Sequence, residues 1–347
     1  MVLKYGRSIR IRGIGPWDTR LLTLDPVSVA HVLKNSTVYQ KPWQSRRLIS
    51  NLIGIGMLSS EGQVHKRQRR VSSPAFSIQN LRALVPVVFF KGVKLRDRWM
   101  DMILEHENTD AGGALRIDVC HWISRATFDV IGSAGFAYEF NAIKDETNEL
   151  FRAYKEMFEV AISQGNVLRT IMNIYFPFLS ALFPDESMRT VERCKQVIHR
   201  VASQLIEENK RNIARTQGSE PLSGKDILSL LSRFFKPVKS NSAIDLPAED
   251  RISDEDILNS ISTFMCAGAD TSSLTVTWTL LLLAENPEVQ TRLRAELLAV
   301  APKDGVESLT HEEIASLYDN TANLPYLHNV CRESLREIWG EDAWAFK

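Results

Sequence analysis

Cysteine is scarce in this 347-residue chain, and its four cysteines lie far apart without a C-x-x-C pair. That spacing argues against a disulfide framework and against a structural zinc site. It favours a reducing compartment or the cytosolic side of a membrane. No apolar run approaches the ~20 residues that cross a bilayer, and the first residues lack the apolar stretch of a signal peptide. As written, the chain is expected to be soluble and cytoplasmic.

An excess of charge of either sign is also missing, because Lys+Arg 42 balances Asp+Glu 42. A nucleic-acid partner is therefore not expected, since such proteins carry a basic surface. The seven histidines are scattered without metal-ligand spacing, and neither a G-x-S-x-G nor an H-E-x-x-H motif is present. The hydrophobic content of 44% is ample for a large core.

Helical patterns dominate what is there. Residues 5–24 alternate loosely around a Gly-Pro pair, which predicts a small hairpin. Asp25 followed by Pro26 is typical of a helix start. Further helical patterns follow at about 78–106, 117–133, 146–164, 187–213, 224–235, 288–299 and 310–318, and the stretches 216–225 and 236–251 are predicted as exposed loops. The predicted fold class is mainly α with a minor β element at the N-terminus.

The clearest predicted helix covers residues 253–285. Ser253 and Asp256 have the spacing of a capping box, and Pro287 marks the far end. At about 1.5 Å per residue such a helix would be ~50 Å long. Apolar residues occur on most of its sides, as expected for a helix that runs through the middle of a molecule.

Small and polar residues interrupt this helix at positions 267–273, AGADTSS. One interpretation is a break, with Asp270 or Ser272 capping a second helix. The other is a functional groove, in which Ala267 and Gly268 let a flat ligand approach the backbone. Thr271 could then open the helical hydrogen-bond ladder, and Asp270 with Thr271 would form an acid–alcohol pair suited to proton delivery to a bound oxygen species.

Near the C-terminus, Glu333 and Arg336 are three positions apart on a predicted helix, so their side chains can meet. Taken alone, such pairs are usually solvated surface ion pairs that contribute less than about 1 kcal/mol.

Near the N-terminus, His65 and Arg69 are four positions apart and share a helical face. The plain interpretation is a basic, solvated helix. The functional interpretation is recognition of buried carboxylates by a guanidinium. Lys66, Arg67 and Arg70 are then predicted to face outward, where an acidic partner could dock.

These three segments occur in the order and spacing of the cytochrome P450 family, and their sequences resemble fungal microsomal-type members. The segments are QVHKRQRR with PAF, AGADTSS, and ESLR. The resemblance covers most of the chain. It implies that His65 and Arg69 hold a haem propionate and that Ala267 and Gly268 line the haem. It also implies that Asp270 and Thr271 relay protons. The role that it implies for Glu333 and Arg336 is structural.

The resemblance further implies a cytochrome P450-like fold, haem b as cofactor, and a monooxygenase that inserts one oxygen atom of O2 into a small hydrophobic substrate. Electrons would come from an NADPH-cytochrome reductase. The expected location is the cytosolic face of the endoplasmic reticulum membrane, with anchoring only through a segment not present in the chain. Residues 43–57 and 160–183 are apolar and are predicted to contact the substrate.

One family feature is missing: the Phe-x-x-Gly-x-x-x-Cys-x-Gly loop whose cysteine ligates the iron. Cys266 and Cys331 lie inside predicted helices and are expected to be packed thiols. We therefore expect no metal ligand in the chain and a single incomplete domain, 1–347, with a β-rich start (1–24), a helical body (25–336) and a remnant (337–347) of the segment before the loop. The chain itself is expected to be poorly stable and inactive. The alternative is a non-catalytic helical fragment or decoy binding module derived from such an enzyme.

Overall fold

The computed structural model describes residues 6–13, 18–109, 114–162, 171, 172, 175, 178, 186–215, 253–302, 305, 306 and 309–339. At its start, β1 (Ser8–Arg12) and β2 (Thr19–Thr23) pair antiparallel, with Ser8 opposite Thr23 and Arg12 opposite Thr19. The predicted N-terminal hairpin is confirmed.

The rest of the described chain is mainly helical, so the predicted fold class is confirmed. The helices with described bounds are, in chain order, α1 Pro26–Lys34, α2 Trp43–Ile53, α3 Gly62–Ser72, α4 Ile78–Ala83, α5 Val85–Thr109, α6 Val119–Phe136, α7 Glu149–Ile162, α8 Glu186–Arg215, α9 Asp254–Glu285, α10 Pro287–Val300, α11 His311–Ala322 and α12 Pro325–Trp339, with a 3-10 turn Ser73–Phe76 after α3. Within the described helices, none is both long enough and apolar enough to span a membrane.

Two predicted helix starts are confirmed in atomic detail. The Asp25 carboxylate accepts the Ser28 N–H at 2.9 Å, and Pro26 occupies the first turn of α1. At α9 the Ser253 hydroxyl accepts the Asp256 N–H at 3.1 Å, while the Asp256 carboxylate accepts the Ser253 N–H at 3.2 Å. Both arrangements satisfy amide groups that a helix start leaves unpaired.

The helix predicted over 78–106 is two helices, α4 and α5, that meet at Leu84. Pro86 has no N–H to donate to the Arg82 carbonyl, so an uninterrupted helix could not close there. Instead, the Leu84 N–H bonds to the Leu81 carbonyl at 3.1 Å and ends α4. The other predicted helices are found with bounds shifted by a few residues. The predictions over 216–251 lie outside the described residues.

The core lies where α6, α7, α8 and the first half of α9 pack together. Its larger buried side chains include Phe128, Phe136, Phe151, Tyr154, Met157, Ile198, Leu205, Ile257, Ile261 and Met265. Burying each such side chain contributes about 1.5–3 kcal/mol before entropy is counted. Helices α6 and α9 run antiparallel, because Ser124 lies against Ser273 while Ile131 lies against Gly268.

The prediction that the long helix is interior holds for its first half only. Beyond residue 273, apolar side chains of α9 are exposed: Leu274, Val276, Trp278, Leu280 and Leu281. Trp278 keeps 47% of its surface. Among the described residues, this half of α9 therefore packs against other helices on one side and leaves apolar surface uncovered on the other.

The connection between α2 and α3 crosses α9 at very close range. A Cβ on Gly56 would lie 2.1 Å from Thr263 Oγ1 and 2.8 Å from the Asn259 carbonyl oxygen. Gly54 has φ +84°, and a Cβ there would lie 2.0 Å from Asn259 Oδ1. Only glycine fits this crossing, and it places α3 beside the N-terminal half of α9.

Candidate functional site

Helix α9 runs without a break through residues 267–273. The interpretation that Asp270 or Ser272 caps a second helix is therefore wrong. Thr271 Oγ1 donates to the Ala267 carbonyl at 2.7 Å, and Thr275 Oγ1 donates to the Thr271 carbonyl at 2.9 Å. These hydroxyls bond within their own helix, and the helix is not opened at Thr271.

The predicted acid–alcohol pair points to two different sides of α9. Ala267 and Thr271 are exposed, whereas Asp270 is half-buried on the side that faces α7. Consecutive residues of a helix are rotated by about 100° about its axis, which accounts for the separation. Burial raises the pKa of Asp270, and the charge of Lys155 on α7 opposes that rise.

Gly268 has a packing role. A Cβ at this position would lie 2.4 Å from Ile131 Cδ1, so its missing side chain lets α6 approach α9. The structure thus gives Gly268 a contact that does not involve a ligand. Its assignment to a cofactor stays a prediction.

A cavity of about 470 Å³ lies between α6, α7 and α9. It is lined by Cys120, Ser124, Phe128, Phe151, Tyr154, Lys155, Phe158, Glu159, Met265, Cys266, Ala269, Asp270, Ser273 and Leu274. Sequence reasoning missed it, because each helix contributes only a few residues and no motif marks their meeting. The signal that could have indicated it was Asp270, the one charged residue that α9 contributes to the lining.

Helix α3 contacts the start of α9 through Arg67 and Gln68. Arg67 Nη2 donates to Asp256 Oδ2 at 3.0 Å, and the buried Gln68 Nε2 donates to Asp256 Oδ1 at 3.3 Å. The prediction that Arg67 faces outward is therefore wrong, because its guanidinium forms an ion pair with Asp256 of α9. Lys66 and Arg70 are exposed as predicted.

His65 and Arg69 share a face of α3, with His65 half-buried and Arg69 exposed. Burial lowers the pKa of His65, and the charges of Lys41 and Arg69 lower it further. The Glu61 carboxylate opposes this lowering and lies 3.9 Å from Lys41 Nζ, so it offsets part of the positive charge. With its pKa lowered, His65 is a neutral imidazole at neutral pH that can donate one hydrogen bond. Within this cluster of Lys41, Glu61, His65 and Arg69, the exposed Arg69 has the chemistry that fits a propionate carboxylate.

The chain after α3 runs from this cluster towards the part of α9 that leads into residues 267–273. Phe76, at the end of the 3-10 turn, packs on Phe264 of α9 with ring centroids 5.6 Å apart. Phe264 precedes Ala267 by three positions, which is less than one helical turn. The structure therefore brings α3 to the same stretch of α9 that carries Ala267.

The predicted Glu–Arg pair lies on α12, which contributes no residue to the cavity. Glu333 is exposed, and the side chain of Arg336 lies outside the described residues. The start of α12 is held by Glu296 of α10, whose carboxylate accepts the N–H groups of Tyr326 at 3.0 Å and Leu327 at 2.8 Å. The structural role of Glu333 and Arg336 stays a prediction.

No cysteine of the chain lies in the loop sequence that holds the family's iron ligand, and burial raises the pKa of two of the four thiols, Cys194 and Cys266. Cys194 is buried, whereas Cys120 and Cys331 are exposed; the prediction of a packed thiol is wrong for Cys331, because its side of α12 is uncovered by described residues. Cys266 is half-buried, and burial raises its pKa to about 12, which keeps it a neutral thiol. Its sequence shares only Gly268, two positions on, with the family's cysteine loop.

The fit to haem is therefore partial. Arg69 suits a propionate, and the small exposed Ala267 suits a flat ring, but burial raises the pKa of the Cys194 and Cys266 thiols and so disfavours the thiolate that binds iron. Among the described residues, no group of three or more histidine, cysteine, aspartate or glutamate side chains is arranged to hold a metal ion.

We expect Asp270→Asn to stabilise the chain at high pH only. Because burial raises the folded-state pKa of Asp270, the carboxyl contributes stability below its ordinary pKa and loses it as pH rises through the folded value. The amide cannot ionise, so the gain should be small near pH 4 and larger at pH 8 in urea denaturation. Glu159→Gln, at the exposed rim of the same cavity, is the control. A gain of equal size at both pH values would contradict the prediction.

Comparison with known proteins identifies relatives of this chain. The sequence profile described as Cytochrome P450 matches residues 4–338. The chain is 35% identical to Cytochrome P450 monooxygenase 205 of Postia placenta over 96% of this chain and 58% of that protein. It is 30% identical to Cytochrome P450 monooxygenase claQ of Ampulloclitocybe clavipes over 96% of this chain and 57% of that protein. The chain thus spans less than two thirds of the length of these relatives.

A solved structure, the cytochrome P450DA heme domain, matches in fold. Its TM-score is 0.66 at 23% sequence identity, covering 95% of this chain and 62% of that one. At this identity the likeness concerns the fold alone, whereas the profile match extends over nearly the whole sequence. The chain belongs to the cytochrome P450 family.

Proposed function

We propose that this chain forms part of a haem-dependent monooxygenase that inserts one oxygen atom of O2 into a hydrophobic organic substrate. The single observation that carries the proposal is the family match over residues 4–338. The relatives' names as monooxygenases support the reaction class. An NADPH-cytochrome reductase would supply electrons, and Lys66 and Arg70, exposed on α3, offer a basic surface to an acidic partner. The endoplasmic reticulum membrane is the proposed location.

The proposed cofactor is haem b, which when bound supplies redox chemistry at iron that side chains lack. His65 and Arg69 would bind a propionate, with Arg69 supplying a permanent positive charge. Ala267 would let the ring approach α9. The proposal assigns no axial ligand to this chain.

Asp270 and Thr271 would handle protons from two sides of α9. Because burial raises its pKa, the Asp270 carboxyl holds a proton closer to neutral pH than an exposed aspartate does. Thr271 presents its oxygen on the exposed side. Their side chains are about 100° apart around the helix axis. A proton passing between them must therefore move through water molecules or after a rotation of one of the two side chains.

Substitution of Arg69 tests the cofactor contact. Arg69→Ala should weaken haemin binding about tenfold, the effect of losing one charge-assisted hydrogen bond. Arg70→Ala, also exposed on α3, is the matched control and should bind as the unmodified chain does. Absorbance titration with haemin measures both. Equal affinities in the two variants, or no saturable binding by the unmodified chain, would count against the proposed contact.

The second candidate is a non-catalytic helical fragment or decoy binding module. It is favoured by the raised pKa values of the buried Cys194 and half-buried Cys266 thiols and by the absence of the family's cysteine loop from this sequence. Such a module would bind hydrophobic molecules without saturable haemin binding, so the same titration separates the two candidates.

A further inference from the structure

His121, in the first turn of α6, accepts a hydrogen bond that requires its imidazole to be uncharged. Arg125 Nε donates to His121 Nε2 at 2.8 Å. An arginine keeps its proton at any ordinary pH, so this bond exists only while His121 Nε2 carries a lone pair. In a protonated imidazole both ring nitrogens carry a hydrogen, and Nε2–H would then face the Arg125 N–H. The contact therefore depends on the protonation state of His121.

Arg125 has no alternative position that keeps its other bonds. It is 3% exposed, and its guanidinium donates to the carbonyl oxygens of Ala142, Asp145 and Glu146 at 2.6, 3.0 and 2.9 Å. These carbonyls belong to the connection between α6 and α7. Protonation of His121 therefore has two outcomes: the imidazole turns away from Arg125, or the guanidinium leaves the connection.

The His121 ring is itself part of the contact between α6 and α7. It is half-buried, and it meets Trp122 and Phe151 edge-on, with ring centroids 5.8 Å and 6.2 Å apart. Phe151 lies on α7 and also lines the cavity. A movement of the imidazole would therefore break a contact between the two helices beside the cavity wall.

Four charged side chains face His121 from α6, from the connection and from α7: Asp118, Arg125, Glu146 and Lys155. Burial, Arg125 and Lys155 lower the pKa of His121, and the two carboxylates oppose this lowering. On α5, Arg98 pairs with Glu146 at 3.1 Å and offsets part of that negative charge. The stretch of α9 over residues 271–284 carries no titratable side chain. The surroundings thus favour the uncharged imidazole.

We propose that His121 is an acid-sensitive switch at the contact between α6 and α7, which opens when its imidazole takes up a proton. In the open state the bond to Arg125 is broken, and the ring leaves Phe151. Because the folded-state pKa of His121 is lowered, the closed contact contributes its full stability above the ordinary histidine pKa. That stability is lost as pH falls through the folded value.

His121→Gln tests the switch, because its amide oxygen can accept the Arg125 N–H but cannot titrate. One proton taken up only on unfolding raises the unfolding constant by up to about tenfold per pH unit. Between pH 7 and pH 5 we expect this constant to rise about tenfold more in the unmodified full chain than in His121→Gln. Urea denaturation followed by circular dichroism measures both. His328→Gln, exposed on α12, is the control and should behave as the unmodified chain does.

Two buried carboxyls also titrate, but they act in the opposite direction. Burial raises the pKa of Asp129 and of Asp270, so both contribute stability at low pH and lose it as pH rises. They are present in every variant, so the difference between the unmodified chain and His121→Gln isolates the histidine.

Hydrogen exchange measured by mass spectrometry tests whether the opening is local. At pH 5, peptides covering residues 137–148 should exchange faster in the unmodified chain than in His121→Gln, and at pH 7 they should exchange equally. Peptides from α11, which does not contact the α6–α7 connection through any of these bonds, should exchange equally in both proteins at both pH values.

Two results would overturn the proposal. The same pH dependence of unfolding in His121→Gln as in the unmodified chain would show that His121 does not titrate in this range. Equal acceleration of exchange in α11 and in residues 137–148 would indicate general loosening of the chain. If His121→Gln does not fold, His121→Phe, which retains a ring and cannot titrate, takes its place in the same comparison.

Discussion

Replacing Arg125 by methionine is expected to lower the free energy of unfolding by about 3–5 kcal/mol, as removal of a buried, hydrogen-bonded charged group does. Arg125 is 3% exposed. Its guanidinium donates to the carbonyl oxygens of Ala142 at 2.6 Å, Asp145 at 3.0 Å and Glu146 at 2.9 Å, and to His121 Nε2 at 2.8 Å. Methionine fills similar space but leaves these acceptors unpaired.

The loss should be large because this one side chain binds three carbonyl oxygens of the connection between α6 and α7. The guanidinium also lies over the rings of Phe151 and Trp122, 4.7 Å and 5.9 Å from their centroids. Urea denaturation followed by circular dichroism measures the change. Arg152→Met, on the exposed side of α7, is the matched control and should change stability by less than about 0.5 kcal/mol. Similar losses in the two variants would refute this role of Arg125.

The second large effect concerns the iron. Expressed with haem supplied, the 347-residue chain alone is expected to give no thiolate-type spectrum when reduced and exposed to carbon monoxide. The physical reason is that a thiolate must be deprotonated and directed at the metal. Cys266 faces the cavity with a pKa raised to about 12, and Cys194 is buried with its pKa raised by burial. Without thiolate donation, cleavage of the O–O bond is not favoured.

Difference spectroscopy of the purified chain measures this outcome, with an intact cytochrome P450 monooxygenase prepared in parallel as the positive control. A normal thiolate band would contradict the prediction. In that case four single Cys→Ser variants would identify the ligand, because only one of them should lose the band.

Local signals made much of the fold predictable. The caps at Asp25 and Ser253 and the length of α9 follow from side chains within one or two turns of each helix end. The division between α4 and α5 was also predictable from a local signal, because Pro86 cannot donate a backbone hydrogen bond, but the predicted helix over 78–106 ignored it. The cavity was not predictable, because it depends on how three helices pack.

The candidate site shows the same limit. The spacing of His65 and Arg69 correctly placed them on one face of α3. Arg67 was misassigned because its partner, Asp256, is 189 positions away in sequence. The opposite orientations of Asp270 and Thr271 follow from helical geometry, but the burial that shifts the Asp270 pKa depends on α7.

The hydrogen bond from Thr271 to the Ala267 carbonyl limits the hydrogen bonds that Thr271 can make with a ligand or a water molecule. Its proton is already committed, so a molecule arriving at that side of α9 meets lone pairs and finds an acceptor. To act as a donor, the hydroxyl must rotate and leave the carbonyl, exchanging one bond for another. The Thr271 hydroxyl therefore has two useful orientations, and a water molecule that donates to its oxygen is compatible with the one that keeps the bond to Ala267.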